Sequence, residues 1–144
     1  MKGIVNMFIM LLCVMIGVSA CNSQPKTQDK DPVGTFDIVD VDQFEKLVND
    51  TQKVVVLDVR TLSEYEEGHI SGAKQIDIKD NNFLDECRKQ LPKSKFVAVY
   101  CRSGFRSATA AKILASDGYQ TANLKEGIVG WTSAGKPVVN GHND

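Results

Sequence analysis

Two continuous apolar runs, VVVLDV at 54–59 and FVAVY at 96–100, constrain the fold of this chain more than any other feature. Both are rich in β-branched residues, and neither alternates apolar with polar residues as a strand with one solvated face would. Such runs are typical of strands that are buried on both faces of a parallel sheet. Shorter strands are predicted at 36–40, 73–78 and 121–124.

Amphipathic segments separate the predicted strands. Helices are predicted at 41–50, 63–68, 81–91, 108–118 and 127–135. Ser63 is the expected N-cap of the second helix, and Gly118 is well placed to end the fourth. Strands that alternate with helices in one small domain predict an α/β fold, in which a small parallel sheet is flanked by helices on both faces. Ligands of such sheets bind beyond the carboxyl ends of the strands.

The first twenty residues have the order of a secretory signal. Lys2 is followed by an apolar run at 5–18 and by two small residues before Cys21. The run is shorter than the about 20 apolar residues of a membrane span. V-S-A-C at 18–21 resembles the lipobox of bacterial lipoproteins, in which the cysteine is acylated after cleavage. The resemblance implies an exported protein that a lipid on Cys21 anchors to the bacterial cell envelope, with a secreted protein or an uncleaved anchor as the alternatives.

The segment that follows is polar and almost free of large apolar side chains. We therefore divide the chain into a signal peptide at 1–20, a flexible tether at 21–34 and one domain at 35–144. The formal net charge is −1 and no basic run is present, which argues against nucleic acid as a partner. We expect a monomer whose contact with the membrane is made through the N-terminal lipid.

The chain has four cysteines, of which Cys13 and Cys21 lie in or next to the predicted signal. Cys87 falls on the apolar face of the helix predicted at 81–91, so it is interpreted as a buried core thiol. A disulfide between Cys87 and Cys101 is the alternative, because an exported domain can meet an oxidising compartment.

A cysteine directly after a buried strand opens the stretch YCRSGFRS, residues 100–107. If residues 102–106 curl around the sulfur of Cys101 and a helix begins at about Ser107, several backbone N–H groups and the positive end of the helix dipole face that sulfur. Gly104 allows the positive φ that such a loop needs. Each of these effects favours the thiolate over the thiol.

The spacing of the arginines distinguishes two kinds of loop. Arg102 and Arg106 both add positive charge near Cys101, and Arg106 makes the spacing C-x4-R. Cysteine phosphatases hold a phosphoryl or arsenyl group in a C-x5-R loop, where this chain has Ser107. A loop that is one residue tighter suits a single sulfur atom better than a tetrahedral oxyanion.

Three segments resemble rhodanese domains in the order that this family has. They are LDVRTLSEYEEGHISGA at 57–73, YCRSGFRSATAAKILASDGY at 100–119 and NLKEGIVGWTSAGKPV at 123–138. The resemblance extends over about residues 36–139. It implies a rhodanese-like fold and a sulfurtransferase activity without a metal or an organic cofactor.

The resemblance also implies a role for each residue of the loop. Cys101 attacks the outer sulfur of a small anionic donor such as thiosulfate, becomes a persulfide and passes the sulfur to a thiol or cyanide acceptor. The residues implied to bind substrate are Arg102, Ser103, Gly104, Phe105, Arg106 and Ser107. Two alternatives stay open: a non-catalytic or sulfur-carrier module that binds a partner protein, and a cysteine-based phosphatase or arsenate reductase.

Three polar residues are interpreted as supporting the site. Asp58 ends a predicted strand and is a candidate for orienting the loop of Cys101. Arg60 and Glu64 are four residues apart and are spaced to form an ion pair. His69 is expected to fix its own loop by hydrogen bonds rather than to act as a base.

Two positions depart from the rhodanese pattern. Ser71 stands where the family has proline in G-H-I-P-G-A, and Glu126 replaces the first glycine of the G-G pair in the closing segment. We expect Ser71 to cost some loop stiffness and Glu126 to bear on substrate preference near the mouth of the site. Trp131 is expected to pack the last helix on the core.

Overall fold

Five parallel strands form one sheet in the computed structural model, which describes residues 34–141. The strands are β1 (Asp37–Val39), β2 (Val54–Asp58), β3 (Lys74–Gln75), β4 (Phe96–Tyr100) and β5 (Thr121–Leu124). Their order across the sheet is β1-β5-β4-β2-β3. The two strongly apolar runs are therefore neighbours at the centre, with Asp58 opposite Tyr100 where both strands end.

Helices cover both faces of this sheet, which confirms the predicted fold class. They are α1 (Val41–Asn49), α2 (Leu62–Glu67), α3 (Phe83–Gln90), α4 (Phe105–Ser116) and α5 (Gly127–Ser133). Side chains of α3 and α4 belong to one apolar cluster, and side chains of α1, α2 and α5 belong to a second.

Strand β4 separates the two clusters. Val97 and Val99 face the α3 and α4 side, whereas Ala98 and Tyr100 face the other side. All four residues are fully buried. Because successive side chains of a strand point to opposite faces, a strand covered by helices on both faces is apolar at every position.

Several predicted boundaries were wrong for local reasons. Helix α2 begins at Leu62, and its N-cap is Thr61 rather than Ser63, because the Thr61 hydroxyl accepts a hydrogen bond from the Glu64 N–H. The Glu64 carboxylate accepts from the Thr61 N–H in return, which makes a capping box. Helix α4 begins at Phe105, three residues before the start of the helix predicted at 108–118.

Strand β3 is shorter than predicted because β2 ends at Asp58. Only Lys74 and Gln75 pair with β2 as strand residues. The N–H groups of Ile76 and Ile78 still donate to the Asp58 and Val59 carbonyls, so the chain follows the end of β2 for two further bonds.

The interpretation of Cys87 as a buried core thiol is confirmed. Cys87 is fully buried, and Cys87 and Cys101 are both free cysteines, so they form no disulfide. Burial raises the pKa of the Cys87 thiol to about 12. Trp131 is also buried, as expected, and packs edge-on against Phe44.

The predicted signal peptide, the lipidation site Cys21 and all of the tether except Gly34 lie outside the described residues. Within residues 34–141, none of the helices has the length and apolar character of a membrane span.

Candidate active site

Cys101 lies directly after β4, at the carboxyl end of the central strand of the sheet. It is 1% exposed, so its sulfur sits at the bottom of the loop rather than on the surface. Asp58 ends the neighbouring strand β2. Both residues are therefore at the edge of the sheet where the sequence predicts a ligand site.

The loop donates hydrogen bonds to the sulfur of Cys101. The Gly104 N–H lies 3.1 Å from Sγ, and the Ser107 hydroxyl lies 3.2 Å from it. Burial opposes ionisation of the thiol. The Ser107 hydroxyl and the N–H groups of Ser107, Ser103 and Gly104 outweigh burial, and they lower the pKa of the Cys101 thiol below its ordinary value. The arrangement can therefore hold a thiolate, or a sulfur atom attached to Cys101.

The carbonyl groups of the same loop face α5. The Ile128 N–H donates to the Cys101 carbonyl at 2.8 Å, and the Val129 N–H donates to the Arg102 carbonyl at 3.2 Å. The first N–H groups of a helix have no partner within the helix. The first N–H groups of α5 donate to the carbonyls of the loop. The N–H groups of the loop itself can then turn towards the sulfur.

Two glycines allow this close packing. Gly104 has a φ of 96°, and a Cβ at this position would overlap the Lys125 carbonyl oxygen. Gly127 has a φ of 59°, and a Cβ there would overlap the backbone of Arg102. The sequence predicts the positive φ of Gly104. It does not reveal that Gly127 contacts the loop, because nothing local links the two segments.

Asn123 is a second residue that the sequence analysis missed. Its side-chain amide donates to the Gly104 carbonyl at 3.2 Å from strand β5. Asn123 is buried, and an amide side chain between Ala122 and Leu124 in a predicted strand is the signal by which it could have been noticed.

Arg106 forms an ion pair with Glu64. Its Nη1 and Nη2 atoms donate to the two carboxylate oxygens of Glu64 at 2.8 and 2.7 Å. The hydrogen bonds from Arg106 are the main reason that the pKa of the Glu64 carboxyl falls to about 2. The predicted pair of Arg60 with Glu64 was therefore wrong, since the partner of Glu64 is in the loop of Cys101.

Arg60 binds Asp58 instead. The two side chains are almost fully buried, and Arg60 Nη2 lies 2.6 Å from Asp58 Oδ2 and 2.7 Å from the Gly68 carbonyl oxygen. A buried carboxylate needs a cation, and Arg60 is the one that reaches it. Burial and the Asp58 carboxylate raise the pKa of Tyr100, the residue that precedes Cys101, so the link of Asp58 to the loop is indirect.

His69 is fully buried, and its Nδ1 atom lies 2.9 Å from the Tyr65 carbonyl oxygen. Its ring stacks on the Tyr65 ring with 3.6 Å between centroids. The backbone of His69 pairs in both directions with Val139. These contacts agree with the predicted role of fixing its own loop.

The remaining residues of the predicted binding set face solvent. Phe105 is 84% exposed, and Arg102 and Ser103 are also exposed. The backbone N–H of Ser103 contributes to the lowered pKa of the Cys101 thiol. Glu126 is exposed at the N-cap of α5, and Ser71 is exposed in the turn before β3. Within residues 34–141, no group of His, Cys, Asp and Glu side chains is arranged to hold a metal ion.

Comparisons with known proteins agree with this geometry. The family model described as "Rhodanese-like domain" matches residues 40–134. A protein named "Sulfurtransferase" from Allochromatium vinosum is 33% identical over 102 residues, which cover 70% of this chain and 92% of that protein. "Thiosulfate sulfurtransferase 18" from Arabidopsis thaliana is 30% identical over 112 residues, which cover 69% and 81%.

The fold is also similar to that of a solved rhodanese-related structure. The crystal structure of a rhodanese-related protein from Thermoplasma volcanium superposes with a TM-score of 0.63 at 31% identity. The match covers 72% of this chain and 98% of that one.

Proposed function

This chain belongs to the rhodanese-like family, and from this premise we propose that it moves a sulfane sulfur from thiosulfate or a similar donor to a thiol or cyanide acceptor. The observation that carries the proposal is the environment of Cys101. Its sulfur accepts hydrogen bonds from the Gly104 N–H and the Ser107 hydroxyl in a loop closed by Arg106 after four intervening residues.

The first half-reaction loads the enzyme. The Cys101 thiolate attacks the sulfane sulfur of thiosulfate, a new S–S bond forms, and the bond to the sulfonate sulfur breaks with its electron pair. Sulfite leaves as a dianion and Cys101 carries a persulfide anion, so the total charge of −3 for thiolate and thiosulfate is conserved. The N–H groups of the loop that favour the thiolate are placed to hold the negative terminal sulfur of the persulfide.

The second half-reaction restores the thiolate. A thiolate or cyanide acceptor attacks the terminal sulfur, the S–S bond to Cys101 breaks, and its electron pair returns to the cysteine sulfur. Neither half-reaction needs a general base, since the attacking group is already ionised, and neither needs a metal or an organic cofactor. A ping-pong kinetic pattern follows, because sulfite leaves before the acceptor reacts.

We also propose that the domain at 35–144 works as a monomer outside the cytoplasm, held to the cell envelope by a lipid on Cys21. The support is the order of basic, apolar and small residues before Cys21. In cells that express the full chain, Cys21→Ser is expected to move the protein from the membrane fraction to the soluble fraction. A wild-type protein that is already soluble would contradict the anchor.

The test of the sulfurtransferase proposal is direct. After incubation with thiosulfate, the intact protein is expected to gain the mass of one sulfur atom per chain and to release one equivalent of sulfite. Cyanide should then remove the added mass as thiocyanate. Cys101→Ser is the control and should show neither step while keeping the fold.

Each alternative gives a different result in these assays. Loading without turnover to any thiol or cyanide would favour a sulfur-carrier module. Failure to load would favour a module that only binds a partner. Hydrolysis of aryl phosphates that depends on Cys101 would favour the phosphatase alternative.

A further inference from the structure

The carboxylate of Glu64 forms a two-point ion pair with Arg106, the arginine that closes the loop of Cys101. It accepts two hydrogen bonds from Arg106, at 2.8 and 2.7 Å, and two from Thr61, at 3.1 Å from the N–H and 3.0 Å from the hydroxyl. The capping box of α2 therefore holds Glu64 in place beside Arg106. About a quarter of each side chain in the ion pair is exposed, at 26% and 22% for Arg106 and Glu64.

Arg106 lies in the loop of Cys101, five residues after it in the chain. Hydrogen bonds to Glu64 are the first cause of the raised pKa of Arg106, and the negative charges of Cys101 and Asp77 add to it. The family resemblance assigns Arg106 to attract an anionic donor. In this structure both of its terminal nitrogens already donate to a carboxylate, so the pair presents little net charge.

Arg102 is the cation of the loop that stays open to solvent. It is exposed and takes part in none of the ion pairs found among residues 34–141. A donor that reaches Cys101 therefore meets one open cation, one neutralised cation and a thiolate.

We propose that Glu64 determines the charge preference of the site and disfavours dianionic donors relative to donors that carry one negative charge. This inference rests on the proposed sulfurtransferase function. Repulsion between the Glu64 carboxylate and a donor grows in proportion to the donor's charge. A donor whose oxygens must share Arg106 with Glu64 also loses charge-assisted hydrogen bonds that a free guanidinium would give.

Two donors of nearly the same shape separate charge from size. Thiosulfate is a dianion, and methanethiosulfonate is a monoanion in which a methyl group replaces one oxygen. Both give Cys101 the same persulfide, and the leaving groups are sulfite and methanesulfinate. The charge balances in each case, at −3 on both sides for thiosulfate and −2 on both sides for methanethiosulfonate.

Glu64→Gln in the full chain is the matched variant. Glutamine serves in a capping box as glutamate does, so helix α2 keeps its N-terminus. We expect the ratio of kcat/KM for thiosulfate to kcat/KM for methanethiosulfonate to rise by about three- to tenfold, as for the removal of one partly screened charge at a distance of several ångströms. Glu67→Gln removes the same charge from an exposed position of the same helix and should leave the ratio unchanged.

The outcomes separate this inference from the proposed function. An unchanged or lower ratio in Glu64→Gln, or an equal rise in Glu67→Gln, overturns the role of Glu64 while sulfur transfer by Cys101 stands. Glu64→Ala is a second variant without the charge, and its ratio must move in the same direction. If the wild-type protein gains no sulfur from either donor, the proposed function fails and this inference fails with it.

Discussion

The Ser107 hydroxyl does most to stabilise the Cys101 thiolate, and its removal should change the pH dependence of the rate at which this thiol reacts. Ser107 is fully buried and donates to Sγ at 3.2 Å. Among the groups that lower the pKa of Cys101, its side chain comes first. Ser107→Ala removes this donor and leaves the three backbone N–H groups in place.

The size of the effect follows from the strength of a hydrogen bond to a charged group. Such a bond contributes about 1.5–3 kcal/mol, and the long distance to sulfur argues for about 1.5. Because about 1.4 kcal/mol is a factor of ten, the thiolate fraction at a pH below both pKa values should fall about tenfold. A more basic thiolate is a better nucleophile, with a Brønsted coefficient of about 0.4–0.5, so the observed rate falls only about three- to fourfold.

The sign of the effect reverses at high pH, which makes the assay diagnostic. Iodoacetamide is reacted with the protein across pH 5–10, and the alkyl group on the Cys101 peptide is quantified by mass spectrometry. Below both pKa values Ser107→Ala should react more slowly than wild type. Above both it should react about threefold faster. Ser103→Ala is the matched control, because Ser103 supplies a backbone N–H and its exposed side chain is not a donor to Sγ.

Identical pH profiles for Ser107→Ala and wild type would refute the assignment of the hydroxyl as a donor. A shift of the same size in Ser103→Ala would refute it too, since the cause would then be a general loosening of the loop. Cys87 does not interfere, because burial raises its pKa to about 12.

Three further predictions concern what holds the site together. Gly127→Ala should destabilise the fold by more than about 2 kcal/mol in urea unfolding. Gly118 is also at positive φ but faces open space, so Gly118→Ala should destabilise the fold by only about 1 kcal/mol. Equal costs would contradict the close contact of Gly127 with the loop. Asp58→Asn should lower the free energy of unfolding by about 3 kcal/mol, because it leaves Arg60 buried without its charge partner. The folded variant should still load sulfur onto Cys101. Loss of loading would assign Asp58 a direct role. The pKa of the Glu64 carboxyl is lowered from 4.5 to about 2, so its contribution to stability is present above pH 4.5 and is lost as the pH falls through 2. Glu64→Gln should therefore flatten the pH dependence of the free energy of unfolding over that range. An unaltered slope would contradict the strength of the pair.

The central strands and the loop of Cys101 were predictable because their determinants are local. Apart from Asp58, the runs at 54–59 and 96–100 are apolar throughout, as a strand covered on both faces requires, and β2 and β4 lie within them. The groups that lower the pKa of the Cys101 thiol come from residues no more than six positions along the chain. The spacing of residues can predict such contacts, because both partners lie in the same short segment of the sequence.

The pairing of charges was not predictable in this way. Arg60 and Glu64 have favourable spacing on a helical turn, but such pairs contribute only about 0.2–0.5 kcal/mol. The partner that Glu64 takes lies 42 positions away, and Arg60 is drawn to a carboxylate that is buried completely. Burial decides between these partners, because an unpaired buried charge costs several kcal/mol, and burial depends on the whole fold.

The two positions of the glycine pair in the closing segment, Glu126 and Gly127, differ in what a side chain would cost, for the same reason. Glu126 has a φ of −99°, which any residue adopts, so a side chain is accommodated at the N-cap of α5. Gly127 has a φ of 59° and lies against the backbone of Arg102, where a Cβ would separate α5 from the carbonyls of the loop. Those carbonyls would then lack the N–H donors of Ile128 and Val129. The loop could recover them only by turning, which would take its own N–H groups away from the sulfur of Cys101. The second glycine of the pair is therefore the one that the site depends on, and the chain has kept it.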